Sequence, residues 1–209
     1  MNPAILTYVR LPGQLSPRLA AQLRAAVPYG RRMRLASSPT AAIASLLGIA
    51  LARLLLAELN ATPPEAIRLR FPYRGKPFSP GSADFSLSHS GAWLAGVACA
   101  SARVGLDIES PAPAARMAHS PGRDLHDWTA REAMVKARGA TLDQLRQVQV
   151  SDTHCLWQRE RWALMRPAAP AGLIAALVSE QALDLGVRTL PWQALVAPVG
   201  TVPVKVACA

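Results

Sequence analysis

Three observations in the sequence predict a mixed α/β (α+β) fold. Two segments carry helix start and stop signals, several short segments read as strands, and a Pro/Ala-rich stretch at 111–122 separates two α/β halves of similar size. The elements follow in chain order. Tyr29-Gly30-Arg31-Arg32-Met33-Arg34 reads as a basic turn leading into a helix. Ser38 is the expected N-cap and Pro39 the first helical residue, because proline lacks only a donor that is unpaired there anyway. Asn60 and Thr62-Pro63-Pro64 stop that helix.

Ile67 to Phe71 alternates weakly as a strand, and Tyr73-Arg74-Gly75-Lys76-Pro77 makes a turn. Phe85 to Gly91 alternates apolar and polar residues at period two, and Trp93 to Ala100 is a continuous apolar run. With Val104 to Glu109 these read as three strands in a meander. Alternation along the third strand sends Val104, Leu106 and Ile108 into a core and puts Asp107 and Glu109 on the other side, roughly 7 Å apart. Ser110-Pro111 ends this strand, so the acids sit at its mouth. A second helix begins near Trp128-Thr129 and ends before Gly139, the usual C-terminal glycine position. Cys155 to Met165 and Leu173 to Ser179 read as strands, with a final short strand at 199–206.

A chain of 209 residues, about half hydrophobic, has ample material for a core. Cys99, Cys155 and Cys208 are scattered, without metal-ligand spacing, which suggests a reducing compartment. Met1 to Arg10 lacks the pattern of a secretory signal. The most apolar segment, Ala41 to Leu59, is interrupted by Arg53 and Glu58 and reads as a buried helix rather than a membrane span. The expectation is a cytoplasmic, soluble protein. A formal net charge of +10 favours acidic partners, or serves solubility alone. Charge is the sole argument for nucleic acid, since the chain shows neither interleaved aromatics nor a recognised binding motif.

The chemistry lies in a few short motifs. Asp107 and Glu109 offer the oxygen ligands that hard divalent cations require. Glu132 and Lys136 lie four apart and share a helical face, so a carboxylate and an ammonium can serve a metal and a phosphate together. Each motif also has a structural reading. Thr129-x-x-Glu132 matches a capping box, Glu132 and Lys136 match a surface ion pair, the strand acids match an exposed strand end, His89 reads as a solvated histidine, and Gly75-Lys76-Pro77 as a common turn.

Their order decides between the two. A basic turn at Arg31-Arg32, then Gly75-Lys76-Pro77, Phe85-Ser-Leu-Ser-His-Ser-Gly91, Val104-Gly-Leu-Asp-Ile-Glu109 and Trp128-Thr-Ala-Arg-Glu-Ala-Met-Val-Lys136 follow one another along the chain. Over residues 25–180 this resembles the 4'-phosphopantetheinyl transferase superfamily, in the single-chain type that activates nonribosomal peptide and polyketide synthases. The resemblance implies two similar α/β subdomains in a pseudo-twofold arrangement, 1–105 and 106–209, with the active site between them. It implies transfer of the phosphopantetheine arm of coenzyme A to a serine of an apo acyl or peptidyl carrier protein, releasing 3',5'-ADP. By motif, Asp107, Glu109 and Glu132 would bind Mg²⁺. Lys76, Ser88 and His89 would hold the nucleotide end, with Arg31 and Arg32 as candidates for its 3'-phosphate. Lys136 would contact the pyrophosphate, and Glu132 is the candidate base. The implied partners are coenzyme A and an acidic carrier, with no nucleic acid or membrane, and the implied state is a monomer.

The pattern departs from the family at three places. Arg131 stands where lysine is usual, Ala44 stands where an arginine is frequent, and the segment from Pro111 to Asp127 is short and Pro-rich where many relatives insert a carrier-binding stretch. These departures motivate an alternative, a catalytically weak or degenerate relative that binds coenzyme A or a carrier.

Overall fold

The computed structural model describes residues 3–27, 38–73, 75–111 and 124–197. Arg31 and Arg32 with the rest of the basic turn, most of the 111–122 segment, and the strand expected at 199–206 lie outside the described residues. The first strand, β1 (Pro3–Arg10), leads to the helices α1 (Pro17–Ala25) and α2 (Pro39–Leu59). Three strands follow, β2 (Asp84–Ser90), β3 (Trp93–Cys99) and β4 (Val104–Glu109), and then helix α3 (Leu125–Arg138). The chain continues through β5 (Gln149–Val150), β6 (His154–Trp157), β7 (Glu160–Met165), β8 (Ile174–Ser179) and β9 (Asp184–Pro191).

The strands form two sheets, a four-stranded one in the order β2-β3-β1-β9 and a five-stranded one in the order β4-β8-β7-β6-β5. In the first, β1 runs antiparallel to β3 and parallel to β9, so the chain returns to its opening strand late in the sequence. The division at 105/106 falls inside β4.

The fold class follows from how the two sheets and the helices α2 and α3 bury their apolar faces. One face of the first sheet packs on α2, where Val9, Phe85 and Leu94 meet Leu47, Leu51 and Leu55. The opposite face, with Leu6, Tyr8 and Val97, packs on Val104, Leu106, Ile108 and Leu177 of the second sheet. The far face of the second sheet packs on α3, where Ala133 and Met134 meet Trp157, Trp162 and Val178. The layers run helix, sheet, sheet, helix, and each fully buried Leu or Ile contributes about 1.5–3 kcal/mol. By length and composition α2 could cross a membrane, but 61% of that window is buried inside the fold. Cys99 and Cys155 are free and buried, and burial pushes the Cys155 thiol up to about 12.

Several expectations require correction. The meander does not form: β4 leaves β2 and β3 and pairs with β8, Leu106 opposite Leu177. Ile67 to Phe71 is not a strand; a single bridge joins Arg70 to Phe78, after a short 3-10 turn at Pro64–Ala66. Helix α3 starts before Trp128, because the Asp124 carboxylate accepts from the Asp127 N–H and caps the first turn. Thr129 is then interior and donates to the Leu125 carbonyl, which removes the capping-box reading. Ser38 and Asn60 do flank α2, and Gly139 ends α3 at φ 67°, the left-handed conformation glycine adopts without strain.

The edge of β4 that faces away from β8 is closed by side chains. The Asp84 carboxylate and the hydroxyls of Ser86, Ser88 and Ser90 accept from the N–H groups of Val104, Leu106, Ile108 and Ser110 in turn, at 2.8–3.3 Å. Every second residue of β2 thus serves every second N–H of β4, twenty positions further along. This ladder satisfies donors that an open sheet edge would leave unpaired and fixes the register of the two sheets.

Candidate metal centre and cleft

The alternation expected for β4 holds. Val104, Leu106 and Ile108 are fully buried between the sheets, while Asp107 and Glu109 point towards α3. That helix lies unusually close: a Cβ on Gly105 would stand 2.0 Å from the Ala133 carbonyl oxygen and 2.4 Å from the Ala137 nitrogen. Glycine at 105 therefore lets the α3 backbone press against β4, and α3 presents Glu132 and Lys136 one turn apart beside the strand acids. One ligand oxygen from each of Asp107, Glu109 and Glu132 comes within 4.8 Å of the others.

Asp107 is 2% exposed. Its Oδ1 accepts from the Ser88 hydroxyl at 2.7 Å and from the Lys136 ammonium at 2.5 Å. Its Oδ2 is buried without any partner among the described residues. A carboxylate oxygen in that state is costly unless a cation completes it. Glu109 accepts from the Ser90 hydroxyl at 2.8 Å. Burial and the neighbouring charge of Asp107 push the Glu132 carboxyl up to about 7, with Glu109 adding to the effect. The Lys136 ammonium, 3.8 Å away, and a hydrogen bond from Trp128 pull it back. Among the described residues, three carboxyl groups gather around the Lys136 ammonium, with Asp107 buried and the other two partly so. An all-oxygen donor set with an orphaned buried oxygen fits a hard divalent cation such as Mg²⁺.

Lys136 also donates to Ser88 at 3.0 Å, and both line a cleft of about 320 Å³. Its walls include Ala44 and Gly48 from α2, Phe71 and Lys76. His89, exposed at the rim, has its imidazole held below the ordinary value by partial burial and by the Lys136 charge, against the pull of Asp107. The cleft is mostly apolar; the three carboxylates do not line it, and Lys136 and Ser88, which do, connect it to Asp107.

Of the residues expected from sequence, Asp107, Glu109, Glu132, Lys136 and Ser88 converge, and His89 borders them. Lys76 lines the same cleft, but its ammonium ion-pairs with Asp84 and donates to the Val104 carbonyl at 2.6 Å. Burial is the chief reason its pKa is lowered. It closes the end of the β2–β4 seam. Arg131 points away from the carboxylates, donating to Asp127 at 2.7 Å and to the Leu145 carbonyl at 3.2 Å. The ion-pair reading of Glu132 and Lys136 is thus one part of a larger cluster rather than an isolated surface pair. Ser90 and Trp128 join the site without having been expected. Their signal was the serine period of two in Ser86, Ser88 and Ser90, and the four-residue step from Trp128 to Glu132.

A scan against protein-family models returns no match, and a search of curated proteins returns none either.

Proposed function

We propose that the chain is a Mg²⁺-dependent 4'-phosphopantetheinyl transferase that modifies a serine of an apo acyl or peptidyl carrier protein. The observation that carries this reading is the buried Asp107 Oδ2, without a partner among the described residues, inside a three-carboxylate cluster that Lys136 and Ser88 join to an apolar cleft. The motif order supports it, because segments far apart in sequence supply the walls of one cleft. The helix-on-sheet pairing repeated in each half supports the proposed pseudo-twofold arrangement of subdomains 1–105 and 106–209.

Asp107, Glu109 and Glu132 would hold the Mg²⁺, which supplies charge neutralisation at the coenzyme A pyrophosphate when bound. Ser88 and His89 hold the nucleotide end, with Lys76 at the wall and Arg31 and Arg32 as the arginines for the 3'-phosphate. The carrier serine oxygen bonds to the β-phosphorus as the bridging P–O bond breaks. Lys136 meets the charge growing on the departing 3',5'-ADP. Glu132 takes the serine proton directly or through water. The net charge of +10 suits both a polyanionic donor and an acidic acceptor. The same reading makes the protein a cytoplasmic monomer without a nucleic-acid or membrane partner.

Asp107→Ala and Glu132→Gln are expected to lower transfer by at least about 100-fold with folding retained. Glu132→Gln turning over normally at saturating Mg²⁺ would remove both roles assigned to that residue. A second reading, a degenerate relative that binds coenzyme A or a carrier without catalysis, draws on Ala44 in the cleft wall and on the engagement of Lys76 by Asp84. Coenzyme A binding without transfer to any of several carriers would select it. Salt-sensitive binding of DNA or RNA without coenzyme A affinity would contradict both.

A further inference from the structure

The β2–β4 ladder does more than close an edge. Ser86, Ser88 and Ser90 each take the N–H of the residue twenty positions on, and the residue nineteen positions on lies beside the same hydroxyl. For Ser88 that neighbour is Asp107, and for Ser90 it is Glu109. For Ser86 it is Gly105, which has no side chain to receive a proton. A hydroxyl has one proton to give and two lone pairs. The Ser110 N–H occupies one lone pair of Ser90 at 3.0 Å, and the proton goes to Glu109 Oε2 at 2.8 Å. The Ser110 hydroxyl, 3.1 Å away, adds a further contact. Ser90 is itself 7% exposed, so water does not readily replace it.

We propose that Ser90 is a positioning residue that orients the Glu109 carboxylate for a divalent cation, an inference that rests on the metal reading above. The Ser90 hydrogen bond restricts rotation of the Glu109 carboxylate, which brings a ligand oxygen within 4.8 Å of those of Asp107 and Glu132. Partners of this kind outside the ligand set commonly change metal affinity about 10–100-fold when removed.

The test is a titration with Mn²⁺ alone, followed by electron paramagnetic resonance, on the full chain and four variants. Ser90→Ala is expected to weaken Mn²⁺ binding by about tenfold or more, whereas Ser90→Thr, which retains the hydroxyl, stays within about threefold of the parent. Ser86→Ala removes an equivalent rung of the ladder and is expected to lose stability without losing Mn²⁺ affinity. If Ser90→Ala does not fold, Ser90→Cys, a weak donor of similar size, takes its place with the same expected loss. Parent-like Mn²⁺ affinity in Ser90→Ala, or an equal loss in Ser86→Ala, overturns the proposal while leaving the metal centre standing. Binding by the parent that is absent or unchanged in Asp107→Ala removes the metal centre itself, and the proposal with it.

Discussion

Glu132 stands in a site that opposes its ionisation. Its carboxyl is raised to about 7 from an ordinary 4.5, chiefly by burial and by Asp107. The folded, cation-free protein therefore keeps this proton over a range where the unfolded chain has released it. Stability from this group is fully present below about pH 4.5 and is lost as pH rises through about 7. Urea unfolding in the presence of a chelator is expected to show lower stability at pH 7.5 than at pH 5, and Glu132→Gln to flatten that difference. An unchanged slope in Glu132→Gln would place the pH dependence elsewhere. The orientation of Asp107 and Glu109 was legible in sequence because strand alternation needs no knowledge of the partner. The role of Ser90 was not, because alternating serines suit any half-buried strand and their acceptors lie twenty residues away.

Among the elements, the seam between β2 and β4 and the contact between β4 and α3 set the site. Ser86→Ala leaves the Leu106 N–H buried without its acceptor, which is expected to cost about 1–3 kcal/mol in urea unfolding. No loss of stability would mean that water replaces the hydroxyl. Gly105→Ala forces a methyl into the α3 backbone and cannot be absorbed by a side-chain rotation. It is expected to cost at least the 1–3 kcal/mol typical of overpacking and to lower transfer as well, since α3 carries Glu132 and Lys136. A stable, active Gly105→Ala would contradict the close packing that assembles the cluster. Helix α2 was legible because Ser38-Pro39 and Asn60 punctuate it locally. Helix α3 starts ahead of Trp128-Thr129 because Asp124, outside the motif, supplies the cap. The meander was misread because sequence adjacency favours β2-β3-β4 pairing, and only the serine face of β2 hints that β4 is held through side chains. The strands β1 and β9 had not been expected, and their parallel pairing joins residues about 180 positions apart.

At the scale of the whole molecule, two sheets packed face to face bring a cleft on the α2 side of the first against a carboxylate cluster on the α3 side of the second. The ladder at their shared edge is what makes these one site: Ser88 touches Asp107 and Lys136 and also lines the cleft. The central claim is that this junction transfers a phosphopantetheine group. Its most direct test is the intact mass of an apo carrier protein incubated with the chain, coenzyme A and Mg²⁺, beside a sample containing excess chelator. The account predicts a mass increase of one phosphopantetheine group on the carrier serine, absent with chelator. An unmodified mass across acyl and peptidyl carriers, or equal modification with chelator present, would contradict it.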